Sequence, residues 1–342
     1  MNMKIILLPF SGLYWLGTFI RNKFFDWGIL QSKKYKKPVI TVGNLSIGGT
    51  GKSPFVIYLI DLLKDKYLMG ILSRGYGRQT KGYQFANYET TFEDIGDEPM
   101  QFFERFRNKI VVGVDEKRIR GIKNMLKDFN PDLFILDDAF QHRYVKAGLN
   151  ILLTDYSKPY YEDEVLPAGR LREGKYAAKR AQIVIVTKCP DSFTEKERDR
   201  IQSKLNLQPS QALFFSRIVY ENRVISSNYS FKLENLVNFH VLLITGIAKY
   251  NEILSFSEQN FETVTHLNFK DHHNFTNADI QVIEKKYKEI SGNKMILTTE
   301  KDYMRLKHFQ QIKNYLFYLP ISIEIDRAED FEKLILNYIN KN

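Results

Sequence analysis

The segment Gly43-Asn44-Leu45-Ser46-Ile47-Gly48-Gly49-Thr50-Gly51-Lys52-Ser53-Pro54 constrains this chain more than any other. It follows a short β-branched run, Pro38–Val42, and opens a stretch with helical spacing, Pro54–Lys64. Closely spaced glycines let a backbone curl until successive N–H groups converge on one anion, and a helix N-terminus adds its positive dipole end. Lys52 is placed to reach terminal phosphates, and the Ser53 hydroxyl to ligate Mg2+. Pro54 is tolerated in a first helical turn. The strict pattern G-x-x-x-x-G-K-[ST] fails at its first position, Ser46, but the strand–loop–helix context restores it. Ser46, Ile47, Gly48, Gly49, Thr50, Gly51, Lys52 and Ser53 are therefore the candidate cradle for ATP.

The flanking sequence supplies the fold such a loop requires. Pro38–Val42, Met69–Ser73, Lys109–Val112, Leu133–Leu136, Ile151–Thr154 and Ile183–Thr187 are nearly continuous apolar runs, as strands covered on both faces are. Helical stretches such as Glu116–Phe129 separate them, which predicts a parallel, doubly wound α/β sheet of the P-loop NTPase kind. After Lys188 the rhythm loosens into a charged helix, Thr194–Leu205, a strand, Leu213–Tyr220, and a polar stretch near Ser226–Ser230. A second series then runs through Val241–Thr245, Val264–Leu267, Met295–Thr298 and Leu316–Leu319 to a helical tail, Phe331–Asn340. At 342 residues two cores are expected. We place a P-loop domain over 1–205, a hinge over 206–236 and a smaller α/β domain over 237–342.

Leu133-Phe134-Ile135-Leu136-Asp137-Asp138 delivers two carboxylates at the carboxyl end of a strand, where a parallel sheet keeps its ligand crevice. One of Asp137 and Asp138 is expected to hold Mg2+, directly or through water.

The net charge of +10 calls for an anionic partner, and the single cysteine, Cys189, excludes an intramolecular disulfide framework. Residues 1–20 are apolar and aromatic, but Pro9, Ser11 and Gly12 interrupt them and Lys4 lies among them, which argues against a spanning helix. No small-x-small cleavage site follows, and Phe24, Phe25 and Trp27 continue the apolar run, which argues against a signal peptide. Bulky apolar groups beside Arg21, Lys23, Lys33, Lys34, Lys36 and Lys37 suit a helix lying in an anionic bilayer surface. They equally suit a helix packed on its own domain. No basic motif interleaved with aromatics points to nucleic acid.

The loop alone admits a GTPase, a partner-driving NTPase or a kinase. A guanine reader of the Asn-Lys-x-Asp kind is not met by Thr187-Lys188-Cys189-Pro190, which has proline in the aspartate position. Thr299-Glu300-Lys301-Asp302 displaces its lysine by one. The remaining loop-end clusters are Ser73-Arg74-Gly75-Tyr76-Gly77-Arg78, Gly96-Asp97-Glu98-Pro99, Asp137-Asp138-Ala139-Phe140-Gln141-His142-Arg143, Leu166-Pro167-Ala168-Gly169-Arg170-Leu171-Arg172-Glu173 and Asp271-His272-His273. In this set and order the chain closely resembles the tetraacyldisaccharide 4'-kinases of lipid A synthesis. The likeness extends from Leu7-Leu8-Pro9-Phe10 to the Thr299–Asp302 motif.

That resemblance implies transfer of the γ-phosphate of ATP to the 4'-hydroxyl of an acylated glucosamine disaccharide 1-phosphate. It places the reaction at the cytoplasmic face of the bacterial inner membrane and favours the interfacial reading of the N-terminus, with no obligate protein partner and no nucleic acid. It accounts for Ser46, which the family shares. It makes Asp97 the catalytic base and His272 the histidine that partners it across the domain cleft, with Lys52 on the phosphates. Unaided, Asp97 reads as a helix cap, His272 as a surface histidine, and His142 has an equal claim to the partner role. Arg74, Arg78, Arg170 and Arg172, at strand ends, are candidates to clamp substrate or nucleotide phosphates.

Overall fold

A computed structural model describes residues 3–341 except Ala248 and His272, with side chains from Ile6 onward. The chain divides into two compact units. One comprises the chain up to Ile218 together with the return from Ile323; the other is Val219–Ser322.

In the first unit helix α1 (Met3–Asp26) precedes β1 (Val39–Asn44), α2 (Lys52–Leu63), β2 (Met69–Ser73) and the short β3 (Gln84–Phe85). Then come α3 (Phe92–Ile95), α4 (Asp97–Phe106), β4 (Ile110–Val114), α5 (Arg118–Asp128), β5 (Leu133–Asp137), β6 (Leu149–Asp155), β7 (Ile183–Thr187), α6 (Glu195–Leu205) and β8 (Ala212–Tyr220). The second unit holds β9 (Arg223–Ile225), β10 (Ser230–Lys232), β11 (His240–Thr245), α7 (Asn251–Asn260), β12 (Thr263–Asn268), α8 (Asn277–Glu289), β13 (Lys294–Thr299), α9 (Glu300–Leu306) and β14 (Leu316–Leu319). Strand β15 (Ile321–Ile325) and helix α10 (Ala328–Asn340) end the chain.

Among the described residues one sheet runs β15-β8-β7-β6-β1-β5-β2-β4-β3. From β8 to β4 its pairings are parallel, and at the far edge the two-residue β3 pairs antiparallel with β4. The wholly buried strands β1, β2, β5 and β7 are the continuous apolar runs of the sequence, because helices cover both faces. Phe55, Leu59 and Ile60 of α2 pack with Ile40, Ile71 and Ile135 in the same core. The second unit's sheet, β10-β9-β14-β13-β11-β12, is parallel from β14 to β12 and antiparallel at β9 and β10.

The division differs from the expected one. The helical tail, assigned above to the second domain, packs in the first: Phe331, Ile335 and Ile339 join the core of Phe55 and Phe214, and the Tyr338 hydroxyl donates to the Val39 carbonyl at 3.0 Å. The 206–236 stretch is not one hinge but β8 followed by the β9–β10 hairpin. Only the tertiary fit of Phe331 between Phe55 and Phe214 decides this, and periodicity does not carry it.

Helix α1 is continuous through Pro9, and no helix among the described residues is long and apolar enough to cross a membrane. The helix leaves most of its bulky apolar residues outside, although Phe25 is buried. Ser11 and Asn22 are buried, whereas Ile6, Leu8, Phe10, Leu13, Leu16, Ile20, Phe24 and, just past the helix end, Trp27 are exposed, Leu13 by 70% and Trp27 by 68%. Its polar side does the docking: Ala168 N donates to Ser11 Oγ at 2.9 Å, Tyr14 Oη to Arg172 O at 3.1 Å, and Asn22 Nδ2 to Glu173 at 2.7 Å.

Candidate active site

The phosphate loop joins β1 to α2, and its shape is fixed from both sides. Gly48 and Gly51 take left-handed φ angles of 104° and 80°, which a side chain would strain. Asn44 Nδ2 donates to Thr50 Oγ1 at 2.8 Å inside the loop. On one flank Ile47 N donates to Arg170 O at 2.8 Å and Arg172 N to Leu45 O at 2.7 Å, so the 166–173 turn braces the cradle. On the other, Thr187 Oγ1 donates to Thr50 O at 2.9 Å, and the Lys188 ammonium donates to Gly49 O. Ile47, Gly48 and Gly49 are exposed at the rim.

Lys52 opens α2 with its ammonium 3.8 Å from Asp138 Oδ1. Arg172 grips the same carboxylate with both terminal nitrogens, at 2.8 and 3.1 Å. Burial would raise the Asp138 pKa, but Lys52 and Arg172 outweigh it and hold the carboxyl below its ordinary value. Asp137, next in the chain, is left short of positive charge. Its Oδ2 accepts from Ser73 Oγ at 2.9 Å, while its buried Oδ1 has no hydrogen-bond partner. Burial, then the neighbouring Asp138, push the Asp137 pKa up to about 6.

This orphaned oxygen is what a cation site beside a triphosphate needs. Among the described residues no cluster of three or more His, Cys, Asp or Glu side chains could hold a metal alone. Mg2+ needs no such cluster, since it takes one or two protein oxygens and completes its shell with phosphate and water. Below about pH 6 Asp137 is protonated and neutral, so cation and proton compete there. Mg2+ affinity in the presence of ATP should fall about tenfold per unit below that point. Calorimetric titrations across the pH range check this, and Asp137→Asn should retain only the shallower slope of ATP's own phosphate.

Asp97 is not the cap that its motif suggests. Gly96 caps α4 with φ 92°, and Asp97 is the first helical residue, buried at the positive end of the helix. A side chain at Gly96 would meet the Tyr76 carbonyl at 2.8 Å, so the 74–78 loop and the α4 start are in contact through their backbones. The next residue, Glu98, is close enough to Asp137 to raise its pKa. Thus α2, β2, β5 and α4 carry Lys52, Ser73, Asp137, Asp138 and Asp97 toward one edge of the sheet.

The four arginines divide. Arg172 faces Asp138, and Arg74 is exposed beside this edge, where its charge acts on both Arg118 and His142. Arg170 pairs with Asp163 at 2.7 Å. Arg78 is turned inward, its guanidinium bonded to Glu116 and to Gly82 O, so a clamp on phosphate would require breaking that pair. His142 has its pKa pushed down to about 4 by burial and by Arg118, Arg21 and Arg74, and is a neutral imidazole at ordinary pH.

His272 lies outside the described residues. Its neighbour His273 is held firmly in the second unit: its ring stacks on Phe269, its Nε2 lies 3.0 Å from Asp279 Oδ2, and its carbonyl accepts from Arg305 at 2.9 Å.

Two groups at this edge have no role assigned from the sequence. Arg118 is buried on α5, donating to Asp115 O at 2.7 Å and approaching Asp137 O at 3.4 Å, and burial lowers its pKa to about 10. Glu173 is a buried hub that accepts from Asn22, Gln141 and Arg180 at 2.7, 3.1 and 2.7 Å. A lone arginine on an amphipathic helix gives no sequence signal, whereas Glu173, adjoining Arg170 and Arg172, was at least in a flagged cluster.

A glycine-shaped cradle at the end of β1, a lysine opening the following helix and paired carboxylates at the end of β5 define a P-loop nucleotide-binding protein of the kinase type. The family model for Tetraacyldisaccharide-1-P 4'-kinase (LpxK) matches residues 3–340. Similar proteins include the tetraacyldisaccharide 4'-kinases of Bacteroides thetaiotaomicron, 43% identical over 98% of this chain and 93% of that one, and of Flavobacterium johnsoniae, 43% identical over 99% and 98%. The crystal structure of LpxK from Aquifex aeolicus in complex with ATP is similar with a TM-score of 0.79, at 30% identity over 98% of this chain and 99% of that one. The chain belongs to the tetraacyldisaccharide-1-P 4'-kinase family.

Proposed function

We propose that this chain transfers the γ-phosphate of ATP to the 4'-hydroxyl of an acylated glucosamine disaccharide 1-phosphate at the cytoplasmic face of the inner membrane. The observation that carries the reading is Lys52 beside the Asp137-Asp138 pair behind the glycine loop, with Asp97 opening the helix whose next residue, Glu98, acts on Asp137. The loop N–H groups and Lys52 hold the β and γ phosphates. Asp97 accepts the proton of the attacking hydroxyl as its oxygen bonds to phosphorus and the bond to ADP breaks. Ser53 and Asp137 would hold Mg2+, with Asp138 beside them, and a bound Mg2+ neutralises charge on the phosphate oxygens. Arg172 and Lys52 orient Asp138, and Arg74 is the exposed cation placed to meet an anionic substrate group. The partnership of Asp97 with His272 rests on the family resemblance.

A lipid acceptor explains the exposed apolar side of α1. Exposed bulky residues on α1 would be a liability in water and are an anchor in a bilayer interface, with Lys33, Lys34, Lys36 and Lys37 following to meet anionic headgroups. Because the polar side of α1 bonds to Ala168, Arg172 and Glu173, removing residues 1–27 would disturb the brace of the phosphate loop as well. Charge on the exposed face is the cleaner change. Leu13→Glu with Trp27→Glu should cut binding to anionic vesicles by tenfold or more, since burial of each such side chain is worth about 1.5–3 kcal/mol. ATP affinity should stay near wild type. Sedimentation with vesicles measures the first, and undiminished binding in the double variant would refute the anchor.

A partner-driving NTPase is the rival class. ADP release separates the two: the kinase makes ADP only with disaccharide lipid present, one per phosphorylated lipid. Rapid lipid-independent release of inorganic phosphate would favour the rival.

A further inference from the structure

We propose that the corner Thr187-Lys188-Cys189-Pro190 is the nucleobase platform of the nucleotide site, and that proline at 190 is what leaves the site without a guanine preference. The inference rests on the reading of the Ser46–Ser53 loop as an ATP site.

Sheet order sets the direction of the nucleotide. Strand β1 has β5 and β2 on one side, and β6 and β7 on the other. The first side is filled by Asp137, Asp138, Ser73 and the start of α4, where the terminal phosphate must react. The nucleoside therefore extends the other way along the carboxyl edge, over β6 toward the end of β7, where a parallel sheet keeps its crevice.

The corner waiting there is built around Lys188. Its backbone is left-handed, φ 58°, which an unstrained lysine avoids. The bend lets its ammonium donate to Gly49 O of the phosphate loop while pairing with Asp155 at 3.0 Å. Held at its tip, the half-buried side chain presents its methylene stem beside the loop as an apolar rail suited to a flat ring. Thr187 below it fixes Thr50, and buried Cys189 donates its N–H to Ser216 O at 2.9 Å. Pro190 emerges exposed on the rim.

Guanine offers two adjacent donors, N1–H and the exocyclic amino group, and a carboxylate can accept both. A Lys-x-Asp corner reads guanine that way. Here the lysine half is present in sequence and in its contact with the loop, while residue 190 has a side chain that neither donates nor accepts. The ring is gripped but its guanine edge goes unread.

Restoring the missing half is the test. In full-length protein, Pro190→Asp should raise the ratio of GTP to ATP in kcat/KM by about ten- to a hundredfold, the worth of hydrogen bonds to a charged group. Inosine triphosphate, which lacks the amino group, should gain less, and Pro190→Ala should leave the ratios unchanged. A folded Pro190→Asp protein with the wild-type ratio overturns the proposal. A second measurement does not depend on that variant folding. Lys188→Ala should erode the affinity for ATP at least tenfold more than that for inorganic triphosphate, whereas equal losses would make Lys188 a brace of the loop only and overturn the platform. ATP binding that is indifferent to Lys52 would instead strike the ATP reading itself.

Discussion

Replacing Lys52 by alanine is expected to reduce phosphoryl transfer by at least about 10²–10³-fold, the usual loss for a preorganised electrostatic group, with the fold intact. The ammonium sits at the first residue of α2, where nothing in the core depends on it: the buried face of that helix begins at Phe55. What it does contact is Asp138, at 3.8 Å, and it lowers the pKa of Asp137. Its loss removes a cation from the charge developing between the β and γ phosphates and lets the Asp137 carboxyl rise above about 6. Two readouts follow from one change. Turnover collapses, and the acid limb of whatever activity remains moves to higher pH, because a group whose pKa is raised stays protonated further up the scale. Steady-state kinetics across pH, with thermal melting as the control for folding, check both. Near-normal turnover in a folded variant would remove the phosphate-loop assignment.

The second large effect concerns the base. Asp97→Ala and Asp97→Asn should each lower kcat by roughly 10²–10⁴-fold, the range for general acid–base groups. The KM for ATP should change little, since the cradle is formed by β1, α2 and their braces and not by α4. The asparagine variant keeps the shape at the helix start, so an equal loss in both isolates proton acceptance from packing. His272→Ala should fall in the same range. If the two residues act as one unit, the double variant should be hardly worse than the more damaged single one. A wild-type rate for His272→Ala would move the partner role elsewhere. His142, neutral with its pKa near 4, and His273, engaged with Asp279, would then have to be tested in turn.

What could be read from the sequence was whatever is decided locally. The phosphate loop is contiguous, so its glycines, lysine and serine announce their joint role before any fold is known. Strands such as Met69–Ser73, Ile183–Thr187 and Leu316–Leu319 coincide with their apolar runs because burial on both faces writes itself into consecutive residues. The parallel doubly wound sheet followed from their alternation with helices. What could not be read depends on distant partners. Arg78 looked like Arg172, both at strand-end turns, until Glu116 was seen to take one and Asp138 the other. Asp97 looked like a cap because Gly96, with no side chain, leaves no capping signature of its own. The tail helix joined the first unit because Phe331 finds Phe55 and Phe214, residues nearly 280 and 120 positions earlier. Helix α1 is the intermediate case: its bulky apolar residues were plain in the sequence, but which side faced outward was set by the buried bonds of Ser11 and Asn22.

Transfer to one hydroxyl of a lipid can be measured directly. The direct measurement supplies γ-labelled ATP and two disaccharide 1-phosphate lipids, one with a free 4'-hydroxyl and one with that hydroxyl methylated, to wild-type protein and to Lys52→Ala. Label should enter the free lipid alone, with wild-type protein alone. Equal labelling of the methylated lipid, or none in either lipid while labelled inorganic phosphate accumulates, would contradict it.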